Sequence, residues 1–125
     1  MIYKQEVLLY HQLSIEKYGG AIGIRDEGML SSAVERPYAS FGGEDLYKTP
    51  FEKAAAILES IIKNHPFVDW NKRTGFISCG ALLLREGYEL IASETDAYDF
   101  VIKVASSHLE FEEIVSFIEA NTVHI

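Results

Sequence analysis

Two helix-forming stretches separated by a short polar segment constrain the fold of this chain more than any other feature. In "TPFEKAAAILESIIKN", Thr49 can cap a helix, Pro50 suits its first position, and apolar residues follow at helical spacing. The stretch "FISCGALLL" at 76–84 is apolar on every side, which is typical of a helix in the middle of a bundle. Together they predict a helical protein in which the helix at 76–84 is central.

Helical periodicity continues on both sides of these stretches. An apolar stripe predicts a first helix, in which His11 is expected to be a satisfied core histidine, and a second helix is predicted between a cap at Asp26 and a stop at Pro37. Two further amphipathic helices are predicted at 97–105 and 111–118. Brief extended pieces are expected in "YASFGGEDLYK" and "GYELIAS". The predicted fold class is all-α, a compact bundle of about six helices in one domain, with room for a short extended flap.

Composition narrows the class of function. A chain of 125 residues that is 48% hydrophobic and 24% charged is typical of a single globular domain, here residues 1–125. The formal net charge of -8 disfavours direct nucleic-acid binding or attraction to anionic membranes, and favours a partner with a basic surface. No apolar run suffices to cross a bilayer, and the start "MIYKQEVLLYHQL" lacks signal-peptide features. Since Cys79 is the single cysteine, we expect a reducing cytoplasm.

The polar segment "HPFVDWNKRTG", residues 65–75, lies between the two apolar helices. Pro66 forces His65 out of helical geometry and ends the first helix, and the next helix is predicted to begin near 69–71. The start of that helix offers free backbone N–H groups and the positive end of its dipole, which together suit a phosphate. Lys72 and Arg73 add cationic donors at the helix end where cations are unfavourable, and such a placement often marks a functional site.

Each residue of this segment also has an ordinary structural interpretation. Asp69 or Asn71 could simply cap the helix, and Lys72 and Arg73 could be solvated surface cations. His65 could be an exposed loop residue, and Phe67 could anchor the loop in the core. A loop needs one cap, however, and does not need an acid, an amide, an imidazole and two cations together. The combination therefore favours a functional site.

The segment resembles the nine-position signature of the Fic/Doc superfamily. This signature has His at position 1, Phe at 3, Asp or Glu at 5, a small residue at 6, Asn at 7, Gly or Lys at 8 and Arg at 9, and position 2 is often Pro. Lys72 at the eighth position is what the death-on-curing (Doc) toxin branch carries, where AMP-transferring Fic enzymes usually have Gly. The stretches "HQLSIEKYGGAIGIRDEGMLSSAVERP" and "NKRTGFISCGALLLREGYEL" are similar to Doc segments in the same order. The resemblance thus covers nearly the whole chain and implies a single Fic/Doc domain.

The resemblance implies a role for each position of the loop. His65 would be the general base for a protein hydroxyl, Phe67 would anchor the loop in the core, and Asp69 would hold the Mg2+ that bridges the phosphates of ATP. The phosphate oxygens would be bound by Asn71, Lys72 and Arg73. In the Doc branch the nucleotide lies reversed relative to the AMP-transferring enzymes, so that its terminal phosphoryl group faces the target. The implied reaction is phosphorylation of a Ser or Thr of elongation factor Tu, with translation arrest as its outcome.

Trp70 departs from the family pattern, which usually has Gly or Ala there. A small residue lets the backbone approach a nucleotide closely. The indole either points outward, where it could stack on an adenine or a target loop, or fills the phosphate-binding turn. We predict the outward placement, because a residue at the mouth of a helix can face solvent at little cost.

The connection before the third helix corresponds to the superfamily flap that aligns the main chain of the target. Its aromatic residues Tyr38, Phe41 and Tyr47 are candidates for target docking, although half or more of them could pack underneath.

An inhibitory helix of the Fic type is not expected: Ser31 and Glu35 have its spacing, but Arg36 replaces its final Gly or Asn. Inhibition in the Doc branch comes instead from a separate antitoxin, whose C-terminal segment folds onto the toxin.

Three functions remain open from the sequence. The favoured one is the toxin of a type II toxin–antitoxin pair that transfers a phosphoryl group from ATP with Mg2+. The second is nucleotidyl transfer of the Fic type, which Lys72 disfavours. The third is a binding module with weak catalysis, in which Trp70 spoils the nucleotide site.

Overall fold

The computed structural model describes residues 1–125 and contains six α-helices and two small two-stranded sheets. The helices are α1 (Lys4–Tyr18), α2 (Glu27–Glu35), α3 (Pro50–Asn64), α4 (Asn71–Arg85), α5 (Glu94–Ala105) and α6 (Phe111–Ala120). The strands are β1 (Ser40–Phe41), β2 (Glu44–Asp45), β3 (Tyr88–Leu90) and β4 (Thr122–His124). The predicted class, a compact helical bundle, is confirmed. None of the helices combines the length and the apolarity that a membrane span requires.

The caps read from the sequence set the starts of two helices. The Asp26 carboxylate accepts a hydrogen bond from the Met29 N–H at 3.0 Å and caps α2. The Thr49 hydroxyl oxygen accepts one from the Glu52 N–H at 3.1 Å, and Pro50 is the first residue of α3. A 3₁₀ turn at Arg36–Tyr38 follows α2 and contains the predicted stop, Pro37.

The central helix is α3, so the prediction that placed the helix at 76–84 there is wrong. Helix α3 packs against α2, α4, α5 and α6. Helix α4 contacts α1, α3, α5 and strand β3, but part of its surface is open to solvent and Leu84 is 54% exposed. Small residues let α4 approach α3 closely: a Cβ added at Gly75 would lie 3.2 Å from the Ile62 side chain. Helix α4 therefore packs closely on α3 but is not buried on all sides.

Both connections expected to be extended form strands. Strands β1 and β2 form a hairpin whose turn residues, Gly42 and Gly43, have φ of +60° and +82°, which the type I′ turn demands. Strand β3 pairs antiparallel with β4, which was not predicted. The pairing continues beyond the strands, since the Ile91 N–H donates to the Asn121 carbonyl at 2.7 Å and the Ile125 N–H to the Gly87 carbonyl at 2.9 Å. This small sheet joins the C-terminal segment to the end of α4.

Arg36 ties the base of the β1–β2 hairpin to α3. Its guanidinium donates to the Tyr47 hydroxyl at 2.8 Å, and to Glu59 and Ser60 of α3 at 2.9 Å each. The guanidinium also lies near the rings of Tyr47 and Phe111, 5.4 Å and 5.3 Å from their centres. Arg36 is therefore part of the scaffold.

Candidate active site between helices α3 and α4

The polar segment forms a tight loop that joins α3 to α4. His65 ends α3 in the left-handed region, with φ 51° and ψ 55°, and its side chain is exposed. A residue before proline avoids the helical region, so Pro66 explains why α3 stops here. A left-handed His is strained by about 1–2 kcal/mol, and the surrounding hydrogen bonds must hold it.

The segment before α2 supplies those hydrogen bonds. The Arg25 guanidinium donates to the His65 carbonyl at 2.6 Å and to the Asn64 carbonyl at 2.7 Å, and so caps the C-terminal end of α3. The backbone N–H groups of Arg25 and Asp26 both donate to the Pro66 carbonyl, at 2.7 Å and 3.1 Å. Arg25 could not be recognised from the sequence, because its partners lie about forty positions away and are backbone atoms.

Phe67 and Asn71 fix the centre of the loop. The Phe67 ring is fully buried, as an anchor requires, and stacks on His11 with 3.9 Å between ring centres. The Asn71 side chain accepts a hydrogen bond from the Phe67 N–H at 2.9 Å and donates one to the Phe67 carbonyl at 3.0 Å. Its amide nitrogen also lies 3.3 Å from Nδ1 of His65. Asn71 is buried and, in this structure, its amide organises the loop.

The start of α4 leaves hydrogen-bond donors free. Helix α4 begins at Asn71, within the predicted range, and Trp70, the N-cap residue before it, offers no side-chain cap. The first intrahelical bond is made by the Thr74 N–H, so the N–H groups of Asn71, Lys72 and Arg73 have no partner. The side chains of Lys72 and Arg73 are exposed beside them. Donors and cations thus converge where an anion would bind.

Asp69 presents an exposed carboxylate next to these donors. Its Oδ1 accepts a hydrogen bond from the Trp70 N–H at 2.9 Å, and its Oδ2 lies 3.4 Å from the N–H of Ala21. The carboxylate does not cap α4, so the ordinary interpretation of Asp69 does not apply. No cluster of three acidic, His or Cys side chains surrounds it. A single carboxylate suits Mg2+ that is shared with nucleotide phosphates and water, and does not suit a metal held by protein alone.

Trp70 occupies neither of the two placements that the sequence left open. Its backbone is left-handed, with φ 65° and ψ 29°, a conformation that Gly adopts freely. The indole packs against the end of α1: its N–H donates to the Gly19 carbonyl at 2.7 Å, and its ring lies 5.7 Å from that of Tyr18. A Cβ at Gly20 would lie 2.4 Å from the indole nitrogen, so only glycine fits there.

Arg73 is held to one side of the loop by Tyr18. The Arg73 guanidinium donates to the Tyr18 hydroxyl at 2.7 Å and lies 4.1 Å from the ring centre. Lys72 makes no comparable contact. Tyr18 and Arg73 are 55 positions apart, and nothing in the neighbourhood of Tyr18 along the chain indicates a link to residue 73.

Of the three candidate docking residues of the flap, one is presented to solvent. Phe41 in the β1–β2 hairpin is 83% exposed. The Tyr38 hydroxyl accepts a hydrogen bond from the Ile2 N–H at 2.6 Å, and burial raises the pKa of Tyr38. The Tyr47 hydroxyl is bound by Arg36. Tyr38 and Tyr47 therefore pack underneath the hairpin, and Phe41 alone could contact a target directly.

A family model described as Fic/DOC matches residues 2–83, which contain the whole loop and the α1–α2 segments that support it. The chain belongs to the Fic/DOC family. Within this family it is similar to the Toxin Doc of Mycolicibacterium smegmatis, with 38% identity over 79% of this chain and 78% of the relative. It is also similar to the Protein kinase doc of Escherichia phage P1, with 28% identity over 88% of this chain and 86% of the relative. Both relatives carry the Doc name, so the Doc branch read from Lys72 is confirmed.

Proposed function

We propose that this Fic/DOC protein transfers the terminal phosphoryl group of ATP to a Ser or Thr hydroxyl of a translation factor, elongation factor Tu by resemblance. The observation that carries the proposal is the set of three unpartnered N–H groups at the start of α4, flanked by exposed Asp69, Lys72 and His65. The relative named Protein kinase doc supports the same class of reaction. Arrest of translation would be the consequence.

Phosphoryl transfer asks a protein mainly for positioning and neutralisation of charge. The free N–H groups of α4 and the Lys72 ammonium would bind phosphate oxygens, with Arg73 joining them if it leaves Tyr18. Asp69 would hold the Mg2+ that accompanies the nucleotide. When bound, this ion neutralises phosphate charge. Asn71 supports this arrangement through the loop backbone, and its side chain would act indirectly.

His65 would take the proton of the target hydroxyl. A general base must be able to reach the substrate, and the His65 side chain is exposed at the end of α3. Its Nδ1 lies 3.3 Å from the Asn71 amide nitrogen, which can only donate, so in the neutral ring Nδ1 is the nitrogen with the free lone pair. The backbone of His65 is meanwhile fixed by Arg25.

The test uses elongation factor Tu with ATP labelled at either the alpha or the gamma phosphate. We expect gamma label on a Ser or Thr of the target, and a loss of roughly two to four orders of magnitude in rate for His65→Ala. His108→Ala is a matched control, since His108 is exposed and its side chain hydrogen-bonds only to Ser106. Transfer of alpha label would favour nucleotidyl transfer, and a fully active His65→Ala would remove the proposed base. Absence of both labels would favour the weak binding module.

We further propose that the protein is the toxin of a cytoplasmic toxin–antitoxin pair. The relative named Toxin Doc supports this proposal. Because the chain carries a formal net charge of -8, the C-terminal segment of the antitoxin should be rich in Lys and Arg. Expression of the chain alone should arrest growth, co-expression with its antitoxin should restore it, and His65→Ala should be harmless in both conditions. If His65→Ala were as toxic as the parent, growth arrest would not depend on the transfer reaction.

A further inference from the structure

His11 is a buried histidine that reaches the candidate site from α1. Its side chain is packed in the core with only 4% of the residue exposed, and its ring lies flat on Phe67 with 8° between the planes. Its Nε2 lies 2.9 Å from the carbonyl oxygen of Asp69. A carbonyl oxygen can only accept, so Nε2 carries the proton and donates it. The hydrogen bond therefore fixes the tautomer of His11.

The carbonyl that His11 binds belongs to the peptide unit between Asp69 and Trp70. The N–H of this same unit donates to Oδ1 of Asp69 at 2.9 Å. One peptide plane is thus held at its oxygen by α1 and, through its nitrogen, holds the Asp69 carboxylate. Rotation of this plane would move Oδ1, and with it Oδ2, which has only a 3.4 Å contact with the Ala21 N–H.

An apolar side chain would serve the stacking on Phe67 equally well. Burial of an imidazole has a free-energy cost unless its polar atoms find partners, and here the partner is this one carbonyl. The polar part of His11 is therefore explained by the peptide unit that it holds and not by core packing.

We propose that His11 is a positioning residue for the Asp69 carboxylate and, through it, for the divalent cation that accompanies the nucleotide. This inference rests on the proposed function. It assigns to α1 a direct part in cation binding, although no atom of α1 touches the ion. Loss of the hydrogen bond leaves the fold intact and lets the carboxylate turn away.

Two variants separate the hydrogen bond from the stacking. His11→Phe keeps a flat ring against Phe67 and removes the donor, whereas His11→Gln keeps an N–H donor and removes the ring. The readout is binding of Mg2+ at fixed ATP, followed by the fluorescence of Trp70, the only tryptophan and the neighbour of Asp69. We expect His11→Phe to raise the half-saturating Mg2+ concentration about tenfold or more, and His11→Gln to stay near the parent. Thermal unfolding is measured in parallel, and His11→Gln should be the less stable variant.

An unchanged Mg2+ affinity in His11→Phe overturns the inference, and so does an equal loss in both variants, because packing would then explain the effect. The imidazole nitrogens of His11, observed by NMR in 15N-labelled protein, should show Nε2 protonated, and an Nδ1-protonated ring would also overturn it. Failure of the proposed function is recognised separately. If no phosphoryl group is transferred while the two variants keep the expected order of Mg2+ affinity, the reaction is wrong and the role of His11 stands.

Discussion

The side chain of Asn71 closes on Phe67 from both sides, accepting from its N–H at 2.9 Å and donating to its carbonyl at 3.0 Å. The Asn71 amide thus makes the two hydrogen bonds that a paired backbone would make, and the loop can turn within four residues. It also means that the motif asparagine contributes first to the shape of the loop.

We expect Asn71→Ala to lower the free energy of unfolding by about 2–3 kcal/mol, because two buried backbone groups of Phe67 lose their partner. Urea denaturation followed by circular dichroism measures the change. Asn64→Ala is the control, since its amide makes only a 3.4 Å contact with the Met29 carbonyl and should change stability by less than about 0.5 kcal/mol. Equal stabilities for the two variants would contradict this account of Asn71.

Asp69→Asn should separate structure from cation binding. The amide oxygen of Asn can still accept from the Trp70 N–H, so the stability should change by less than about 0.5 kcal/mol. The charge that would hold Mg2+ is lost, and we expect the transfer rate to fall about a hundredfold, which corresponds to a loss of about 2.7 kcal/mol of transition-state stabilisation. Initial rates over a range of Mg2+ concentrations measure this, and a variant with the rate and Mg2+ requirement of the parent would exclude Asp69 as a ligand.

Position 70 should show a preference for glycine over alanine. Trp70→Gly and Trp70→Ala both lose the indole contacts with Tyr18 and Gly19, but only alanine retains the strain of a left-handed backbone at φ 65°. We expect Trp70→Gly to be more stable than Trp70→Ala by about 1 kcal/mol in urea denaturation. The same substitution pair at Ser116, a helical position, should show the opposite order. If alanine were the more stable at position 70, the left-handed assignment would be wrong.

Arg36 and Glu59 should be energetically coupled. The ion pair is partly buried, with the Glu59 side chain 15% exposed, and it joins the hairpin base to α3. In a double-mutant cycle with Arg36→Ala and Glu59→Ala, we expect a coupling free energy of about 1–2 kcal/mol. The exposed pair Lys48–Glu44 provides the comparison and should give less than about 0.5 kcal/mol. Additive single substitutions would show that Arg36 acts through its other partners, Tyr47, Ser60 and Phe111, and not through Glu59.

Cys79 should be inert in the folded protein. Complete burial raises the pKa of its thiol to about 12, from a reference value of 9.0. At pH 8 only about one thiol in ten thousand is then ionised, so a disulfide reagent should react at the rate of unfolding and promptly in urea. Because the pKa is raised by folding, the contribution of this group to stability is complete below about pH 9 and is lost as the pH rises towards 12. Fast labelling of the native protein at pH 8 would contradict this.

Local signals in the sequence predicted most of the helices, since caps such as Asp26 and Thr49 act on N–H groups three residues away. The same reasoning could not find β4, because a three-residue strand depends on its partner β3 more than on its own composition. It also could not rank the burial of α3 and α4, which depends on how many neighbours each helix finds.

For the site, the sequence predicted the loop itself but not the residues that hold it. The loop residues 65–73 are contiguous, so the sequence shows them together. The residues that hold the loop are distant from it along the chain, and they contact it through a few hydrogen bonds or through packed rings. They are His11, Tyr18 and Arg25. Their side chains have ordinary explanations when they are read alone, and only the tertiary structure connects them to the loop.

The pairing of β4 with β3 has a practical consequence for handling the protein. Helix α4 has 15 residues and so is about 22 Å long, with the loop at one end and Gly87, the hydrogen-bond partner of Ile125, just beyond the other. A purification tag, a fluorophore or a sensor-chip linker attached after residue 125 is therefore anchored at the far end of this helix. Immobilised in that orientation, the molecule keeps its loop turned towards the solution and open to whatever is passed over it.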